Sequence, residues 1–143
     1  MTLSTTATRR LEAMELLAAE KPFLEVRLPF RLASRANDHR SNHWGGRAAT
    51  SKAQRMGAQL ALTSHRTHLR RVLALEGLVV RVVRCGPKAL DSHDNIGMAV
   101  KAITDGVADA LGVNDRAESV TFVPDGEVGP WGARVEFYEG GRP

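Results

Sequence analysis

Cysteine is almost absent from this sequence, because Cys85 is the only one among 143 residues. A single cysteine excludes an intramolecular disulfide and a cysteine-rich zinc site, and it is typical of proteins of a reducing cytoplasm. No apolar run approaches the roughly 18 residues that a membrane-spanning helix needs. Residues 1–22 contain three acidic and three basic side chains and lack the uninterrupted apolar run of a signal peptide. We therefore expect a cytoplasmic protein with no membrane partner.

Glycine-rich nucleotide loops and nucleophile elbows are also missing, which argues against the small-molecule enzymes that depend on them. The chain does contain 43% apolar and 25% charged residues. That mixture excludes a disordered tail, a collagen and a coiled-coil rod, and the length is enough for one hydrophobic core but not for two. We expect a single folded domain.

The net charge of +4 conceals a segregation of charge along the chain. Residues 23–88 contain 11 Arg and 2 Lys against 3 acidic residues, a net +10, whereas residues 89–143 contain 4 basic against 10 acidic residues, a net −6. Arginine-rich segments favour phosphate, because the guanidinium group offers a planar, bidentate set of donors. The alternative is that the two segments form solvated faces that neutralise one another.

Hydrophobic periodicity predicts the elements of the first half of the chain. Residues 23–28 alternate and end at Pro29, which predicts a strand, and a long polar loop of a kind that is usually functional follows. From Arg47 to about residue 73 the composition predicts one long helix weakened at Gly57. Residues 7–20 predict an amphipathic helix, either a packing element or a dimer arm, with an apolar stripe of Leu11, Met14, Leu17 and Ala18.

The second half begins with the strongest strand signal, the valine-rich stretch from Gly77 to Cys85, which should be central in the sheet. A short loop leads into a helix from about Asp94 to Leu111, with Gly112 at the usual stop position. Residues 118–123 and 133–139 each alternate, and the turn at 126–132 predicts that they form a closing hairpin. The predicted fold class is therefore α/β or α+β, a single domain with a small mixed four-stranded sheet covered by helices.

The helix from Asp94 has two different faces. At about 100° per residue, Lys101 and Asp105 lie within about 20° of Asp94, while apolar residues occupy the opposite side. Asp91 precedes the helix in a short loop, so two carboxylates converge after a buried strand. Mg²⁺ prefers such oxygen ligands and leaves its other positions to water and phosphate. The alternatives are that Asp94 only caps the helix and that Lys101 and Asp105 form an ordinary surface pair.

Other polar residues give weaker signals. Asp109 and Asp125 are expected to be plain solvated acids. His65 and His68 have an HxxH spacing, but no further ligands lie nearby in the sequence, so we do not expect a zinc site there.

Residues 90–120 read LDSHDNIGMAVKAITDGVADALGVNDRAESV. In this segment an Asp cluster followed by Asn opens a helix, a Lys and an Asp follow four residues apart, and the chain continues to another Asp. The pattern resembles the signature region of the RusA family of Holliday junction resolvases, especially its phage and prophage members. The strand ending in LPF and the polar loop after it are similar too, so the resemblance covers about residues 23–138. The residues that carry it in the signature region are Asp91, Asp94, Asn95, Lys101, Asp105, Gly106, Ala108, Asp109, Ala110, Leu111, Gly112 and Asp115.

The resemblance implies a RusA-like fold with an N-terminal helical extension (residues 1–22) and a nuclease domain (residues 23–143). It implies a homodimeric, Mg²⁺-dependent endonuclease, with Mn²⁺ as the alternative ion, that binds four-way DNA junctions and makes paired nicks. Such an enzyme would act in DNA recombination and repair in a bacterial or phage-infected cell. By resemblance, the metal ligands and catalytic acids are Asp91, Asp94 and Asp115, and Lys101 assists them electrostatically or by orienting water.

Helix length bears on how these acids could meet. From Asp94 to Leu111 a helix rises roughly 25 Å, and the four residues to Asp115 can return at most about 14 Å. Asp94 and Asp115 of one chain are therefore not expected to share a metal. We expect a two-fold dimer to bring Asp94 of one chain to the partner's Asp115, which would create two equivalent sites.

The basic segment is where we expect DNA to lie. Trp44 either stacks on an opened base or packs within the protein. Two further alternatives are a non-catalytic DNA-binding protein of the same fold and a structural phage protein. An HNH-type nuclease built on Asp38, His39, Asn42 and His43 is disfavoured, because the helix that follows begins without a further metal ligand. The predicted DNA-binding residues are Arg31, Arg35, Arg40, Asn42, His43, Trp44, Arg47, Lys52 and Arg55.

Overall fold

One mixed sheet organises the part of the chain that the structure describes. The computed structural model describes residues 5–32, 44–90, 93–114 and 117–140. The strands are β1 (Leu24–Leu28), β2 (Leu78–Gly86), β3 (Val120–Val128) and β4 (Gly132–Glu139). The helices are α1 (Thr5–Ala19), α2 (Trp44–Ala61), α3 (Arg66–Glu76) and α4 (His93–Leu111).

The sheet has the strand order β1-β4-β2-β3, with β2 in its interior as predicted. Val80 and Val82 of β2 are almost completely buried, and they contribute to a core that α2, α3 and α4 cover. β2 pairs parallel with β3 and antiparallel with β4. Since α4 joins the parallel pair, β2, α4 and β3 form a βαβ unit. The fold is a single mixed α/β domain.

The predicted hairpin between the last two strands is wrong. β3 and β4 lie on opposite sides of β2, and three residues, Gly129 to Trp131, cross the end of β2 to connect them. The backbone N–H of Gly129 donates to the carbonyl of Gly86 at 2.9 Å, which fixes this crossing at the end of β2. Alternation reports which residues of a strand face the core but not which strand lies beside it.

The predicted long helix is also wrong, because it is two helices. α2 ends at Ala61, a short 3₁₀ turn covers Thr63–His65, and α3 follows. The helix does not weaken at Gly57, where a Cβ would lie 2.4 Å from the ring of Phe30. Gly57 therefore serves a close contact, and the chain breaks instead where Thr, Ser and His, all poorer helix formers than Ala or Leu, follow one another.

α4 is continuous and ends as predicted at Leu111. Gly112 has φ +71°, a conformation that favours glycine, and its N–H donates to the carbonyl of Asp109 at 3.2 Å. Val100, Ile103 and Val107 are fully or almost fully buried, so the predicted core face of this helix is confirmed.

α1 covers part of the other face of the sheet. Ala13 is buried there with Val79 and Tyr138, and Leu16 and Leu17 pack beside them. The predicted stripe is therefore displaced, since Leu11 and Met14 are 48% and 53% exposed. Within the described ranges, no helix has both the length and the apolar composition needed to cross a membrane.

Candidate functional site

The chain enters α4 shortly after the buried central strand. β2 ends at Gly86 and α4 begins at His93, one residue earlier than predicted. Asp94 therefore belongs to the first turn of α4, where the unpaired backbone N–H groups and the helix dipole favour a negative charge. The other two predicted ligands, Asp91 and Asp115, lie outside the described residues.

Further along α4, Lys101 and Asp105 are on the exposed face as predicted. Lys101 Nζ lies 3.1 Å from Asp105 Oδ1, and the lysine side chain is 59% exposed. The helix is unbroken, so Lys101 follows Asp94 by about two turns, roughly 10 Å along the axis. Lys101 therefore presents a positive charge on the face that runs back toward the first turn.

The two ends of α4 lie at opposite ends of the sheet. Because β2 and β3 are parallel, Leu78 at the start of β2 is the register partner of Val120 at the start of β3. α4 therefore begins near the C-terminal end of β2 and returns the chain to its N-terminal end. Asn114 and Ala117, which flank Asp115 in sequence, are hydrogen-bonded to each other just before β3. They lie toward the end of the sheet opposite the first turn of α4.

No group of three or more His, Cys, Asp or Glu side chains among the described residues is arranged to hold a metal ion. The carboxylate side chains of the three predicted ligands do not belong to the described set. Whether these residues suit Mg²⁺ is therefore judged from the chemistry of their donor atoms. Three carboxylates suit a hard cation such as Mg²⁺. Of the HxxH pair, His68 packs edge-on against Phe23, with ring centroids 5.6 Å apart, which is a packing role.

Three predicted DNA-binding residues have described side chains: Arg31, Lys52 and Arg55. Arg31 and Lys52 are exposed. Arg55 instead binds Asp109 of α4 through two hydrogen bonds of 2.6 and 2.9 Å. Of the remaining predicted DNA-binding residues, the backbone of two, Trp44 and Arg47, is placed at the start of α2, and the rest lie outside the described residues, namely Arg35, Arg40, Asn42 and His43.

The pair between Arg55 and Asp109 joins α2 to α4 and corrects the expectation that Asp109 is plainly solvated. The hydrogen bonds from Arg55 lower the pKa of Asp109. Because both side chains are substantially exposed, the pair itself stabilises the fold only slightly. Its consequence is that the Arg55 guanidinium is engaged within the protein.

Sequence patterns missed an ionic network on the sheet face that α1 only partly covers. Glu136 of β4 is 5% exposed, and it accepts hydrogen bonds from Arg81 at 3.0 Å and from Arg134 at 2.7 Å. The hydroxyl of Tyr138 donates to the same carboxylate at 2.6 Å. Arg81 also donates to Asp125 at 2.9 Å, so Asp125 is not plainly solvated either. Period-two spacing places these side chains on one face, but their partners come from neighbouring strands.

The network changes the pKa values of the acidic side chains and of the tyrosine that belong to it. Burial alone would raise the pKa of Glu136, but hydrogen bonds from Tyr138, Arg134 and Arg81 outweigh it and hold that pKa below the ordinary 4.5. The hydrogen bond from Arg134 lowers the pKa of Glu127 as well. Burial, together with the hydrogen bond to Glu136, raises the pKa of Tyr138 to about 12. Near neutral pH this face therefore carries two guanidinium groups held by ionised carboxylates.

Replacing Glu136 by Gln should lower the free energy of unfolding at pH 7 by about 2 kcal/mol, because Arg81 and Arg134 lose their shared buried acceptor while each keeps one other carboxylate, Asp125 or Glu127. A carboxyl group whose pKa is lower in the folded state adds stability that is present above its unfolded pKa and is lost as the pH falls. That loss begins near the unfolded pKa of 4.5 and continues below it, so we expect urea unfolding to show a smaller loss of stability between pH 5 and pH 3 in Glu136→Gln than in the wild type. Glu139→Gln, at an exposed position of the same strand, is the matched control. An acid dependence identical to the wild type would contradict this assignment.

A second missed feature is the crossing between β3 and β4. It places Trp131 against two arginines, with the guanidinium carbon of Arg31 4.5 Å and that of Arg84 5.0 Å from the centroid of the indole. The only sequence signal was a tryptophan in a turn rich in Gly and Pro.

Comparison of the chain with protein-family models, with curated proteins and with solved structures finds no match.

Proposed function

We propose that the protein is a Mg²⁺-dependent, structure-specific DNA endonuclease of RusA-like fold that resolves four-way junctions by paired hydrolysis of phosphodiester bonds. The observation that carries the proposal is the β2–α4 connection. It leads from a buried strand into a helix that has Asp94 in its first turn, Lys101 on the exposed face and an apolar opposite face. This is the arrangement that the resemblance of residues 90–120 implies.

The topology also supports a site shared between two subunits. α4 runs from one end of the parallel β2–β3 pair to the other, so the residues that flank Asp115 lie away from the first turn of the same helix. A two-fold axis relates identical surfaces of two subunits in opposite directions. We propose that Asp94 and Asp91 of one subunit meet the partner's Asp115, which gives a homodimer two equivalent sites.

In this proposal Asp91, Asp94 and the partner's Asp115 hold Mg²⁺ with their carboxylates. The bound ion would supply charge stabilisation at the phosphate and a more acidic water. Lys101 would contribute a positive charge near the phosphate, and its contact with Asp105 holds its ammonium group on the exposed face of α4. Each nick consumes one water molecule and breaks one P–O bond of the DNA backbone.

The basic side chains would bind the DNA backbone. Arg31 and Lys52 are exposed and have no acidic partner among the described residues, so both are available to phosphate. Arg55 is engaged by Asp109 and would contribute to the position of α4 rather than to DNA contact. This division follows from the ion pairs and refines the set of DNA-binding residues inferred from the sequence.

Wild-type protein should nick a synthetic four-way junction in Mg²⁺ at symmetrically related positions of two strands. EDTA should stop the reaction, and linear duplex of the same sequence should be cut much more slowly. Gel electrophoresis of end-labelled strands measures both products. Tight junction binding without cleavage would support the non-catalytic alternative, and no preference for the junction in binding or cleavage would overturn the proposal.

A further inference from the structure

Arg84 is a buried cation without a carboxylate partner among the described residues. It is 4% exposed, and its guanidinium donates to two backbone carbonyls, that of Leu32 at 2.9 Å and that of Lys88. A Cβ at Gly86 would lie 2.7 Å from Arg84 Nη2, so the backbone passes close beside this group. Burying a charge is costly unless it is paired. The two carbonyl groups fix the position of the Arg84 guanidinium, but they carry no negative charge, so the described neighbours do not neutralise it.

Arg31 lies at the same indole and also has no acidic partner in the described ranges. Both guanidinium groups are within 5.0 Å of the Trp131 centroid, inside the range of a cation–π contact. Arg31 and Trp131 are both exposed, Trp131 to 37%, whereas Arg84 is buried. Arg81 and Arg134, on the sheet face that holds the Glu136 network, differ from Arg31 and Arg84 because each forms an ion pair with a carboxylate. The described residues at the end of β2 therefore place two positive charges, with no carboxylate partner from the described part of the chain, around one aromatic ring.

We infer that Arg31, Trp131 and Arg84 form a phosphate-binding site for the DNA backbone, an inference that rests on the proposed function. Arg31 makes the contact, because its guanidinium is the exposed one. Trp131 is a positioning residue that holds this guanidinium by stacking, and the buried charge of Arg84 adds to the local positive potential. The site lies at the end of β2 from which the chain proceeds to α4, so a strand held here would pass toward the first turn of α4.

Binding of a four-way junction in EDTA, measured as a function of salt concentration, tests the inference. Arg31→Ala should weaken binding about tenfold near 0.1 M salt and reduce the slope of log K against log salt by about 0.9, the loss of one phosphate contact. Arg31→Lys should keep the slope and lose part of the affinity, because it retains charge but not the planar stack. Arg27→Ala, an exposed arginine of β1 paired with Glu25, is the matched control and should change binding less than twofold.

The role of Trp131 is tested through Arg31. Trp131→Leu should weaken binding about fivefold, and Trp131→Phe should restore most of the loss, because it keeps an aromatic face. Adding Trp131→Leu to Arg31→Ala should cause no further loss, since the two residues act on one contact. Thermal unfolding verifies that each variant is folded. If Trp131→Leu does not fold, binding by Trp131→Phe, Arg31→Ala and Arg31→Lys still tests the inference.

The outcomes separate this inference from the proposed function. If the wild type cleaves junctions but Arg31→Ala binds like Arg27→Ala, the phosphate site is wrong and the nuclease stands. If the salt slope depends on Arg31 but no cleavage occurs, the phosphate site stands and the nuclease is wrong. Additive losses in the double variant would overturn the positioning role of Trp131. A wild-type protein that binds no DNA would overturn both proposals.

Discussion

Replacing Gly106 by Ala should destabilise the protein by about 3 kcal/mol, although alanine is the better helix former. A Cβ at this position would lie 2.2 Å from the carbonyl oxygen of Arg55 and 2.9 Å from the Cβ of Ala58. The first of these atoms belongs to the backbone of α2, so the clash cannot be relieved by turning a side chain. α2 and α4 must separate, which opens the core around Ala58. Thermal unfolding should show a Tm lower by roughly 10 °C.

Gly97→Ala is the matched control, because it makes the same change in the same helix where a Cβ would meet nothing within 4 Å. Helix propensity alone then applies, and the variant should be as stable as the wild type or more stable by up to about 1 kcal/mol. Equal stability of Gly106→Ala and Gly97→Ala would contradict the close α2–α4 contact. If the contact holds, displacement of α4 should also impair any activity that depends on its first turn.

The close contact gives Gly106 a packing role within α4, which is one continuous helix through this position. Gly106 is the poorest helix former in the middle of α4, and a kink there would have shortened the distance between the two ends of the helix. The glycine instead allows α2 to approach, and the helix continues to Leu111. The helix length used to separate Asp94 from Asp115 therefore applies to α4.

The elements with a clear hydrophobic pattern were predicted well from the sequence. The break between α2 and α3 and the buried face of α1 were not. The core face of α4 and the central position of β2 follow from apolar spacing and from a run of valines, both of which are local signals. The break after Ala61 was missed because Thr63, Ser64 and His65 are weak helix formers rather than clear terminators such as proline. The stripe of α1 was displaced because apolar residues occur on more than one side of this helix, so the sequence does not define a single face, and the sheet buries Ala13.

Features that join distant parts of the chain were the least predictable. The turn at 126–132 looked like a hairpin, yet β2 lies between the two strands that it connects. That crossing brings Trp131 to Arg84, and no local pattern in the sequence indicates it. The pairing of Arg55 with Asp109, 54 positions apart, likewise depends on the packing of two helices. The acids of the candidate site were predicted from a local pattern, and of these only the backbone of Asp94 belongs to the described residues.

Replacing Asp94 by Asn should reduce Mg²⁺-dependent cleavage of a four-way junction by about 10³-fold, because a metal ligand and its charge are lost. Asn serves at helix N-termini nearly as well as Asp, so the free energy of unfolding should change by less than about 1 kcal/mol. The variant therefore separates a metal-binding role from a capping role. Glu139→Gln, at an exposed position opposite the start of β2, is the matched control and should cleave at nearly the wild-type rate. Full activity of Asp94→Asn would leave helix capping as the role of this residue.

Mixing Asp94→Asn with Asp115→Asn subunits then tests where the third carboxylate comes from. Each variant alone should be inactive. If Asp94 meets the partner's Asp115, about half of the randomly mixed dimers are heterodimers, and each of these regains one intact site and has one doubly altered site. Such dimers should nick one strand of the junction without the paired second nick, so nicked junctions should accumulate instead of resolved duplexes. No recovery of nicking after exchange of subunits would place the complete site within one chain and contradict the shared arrangement.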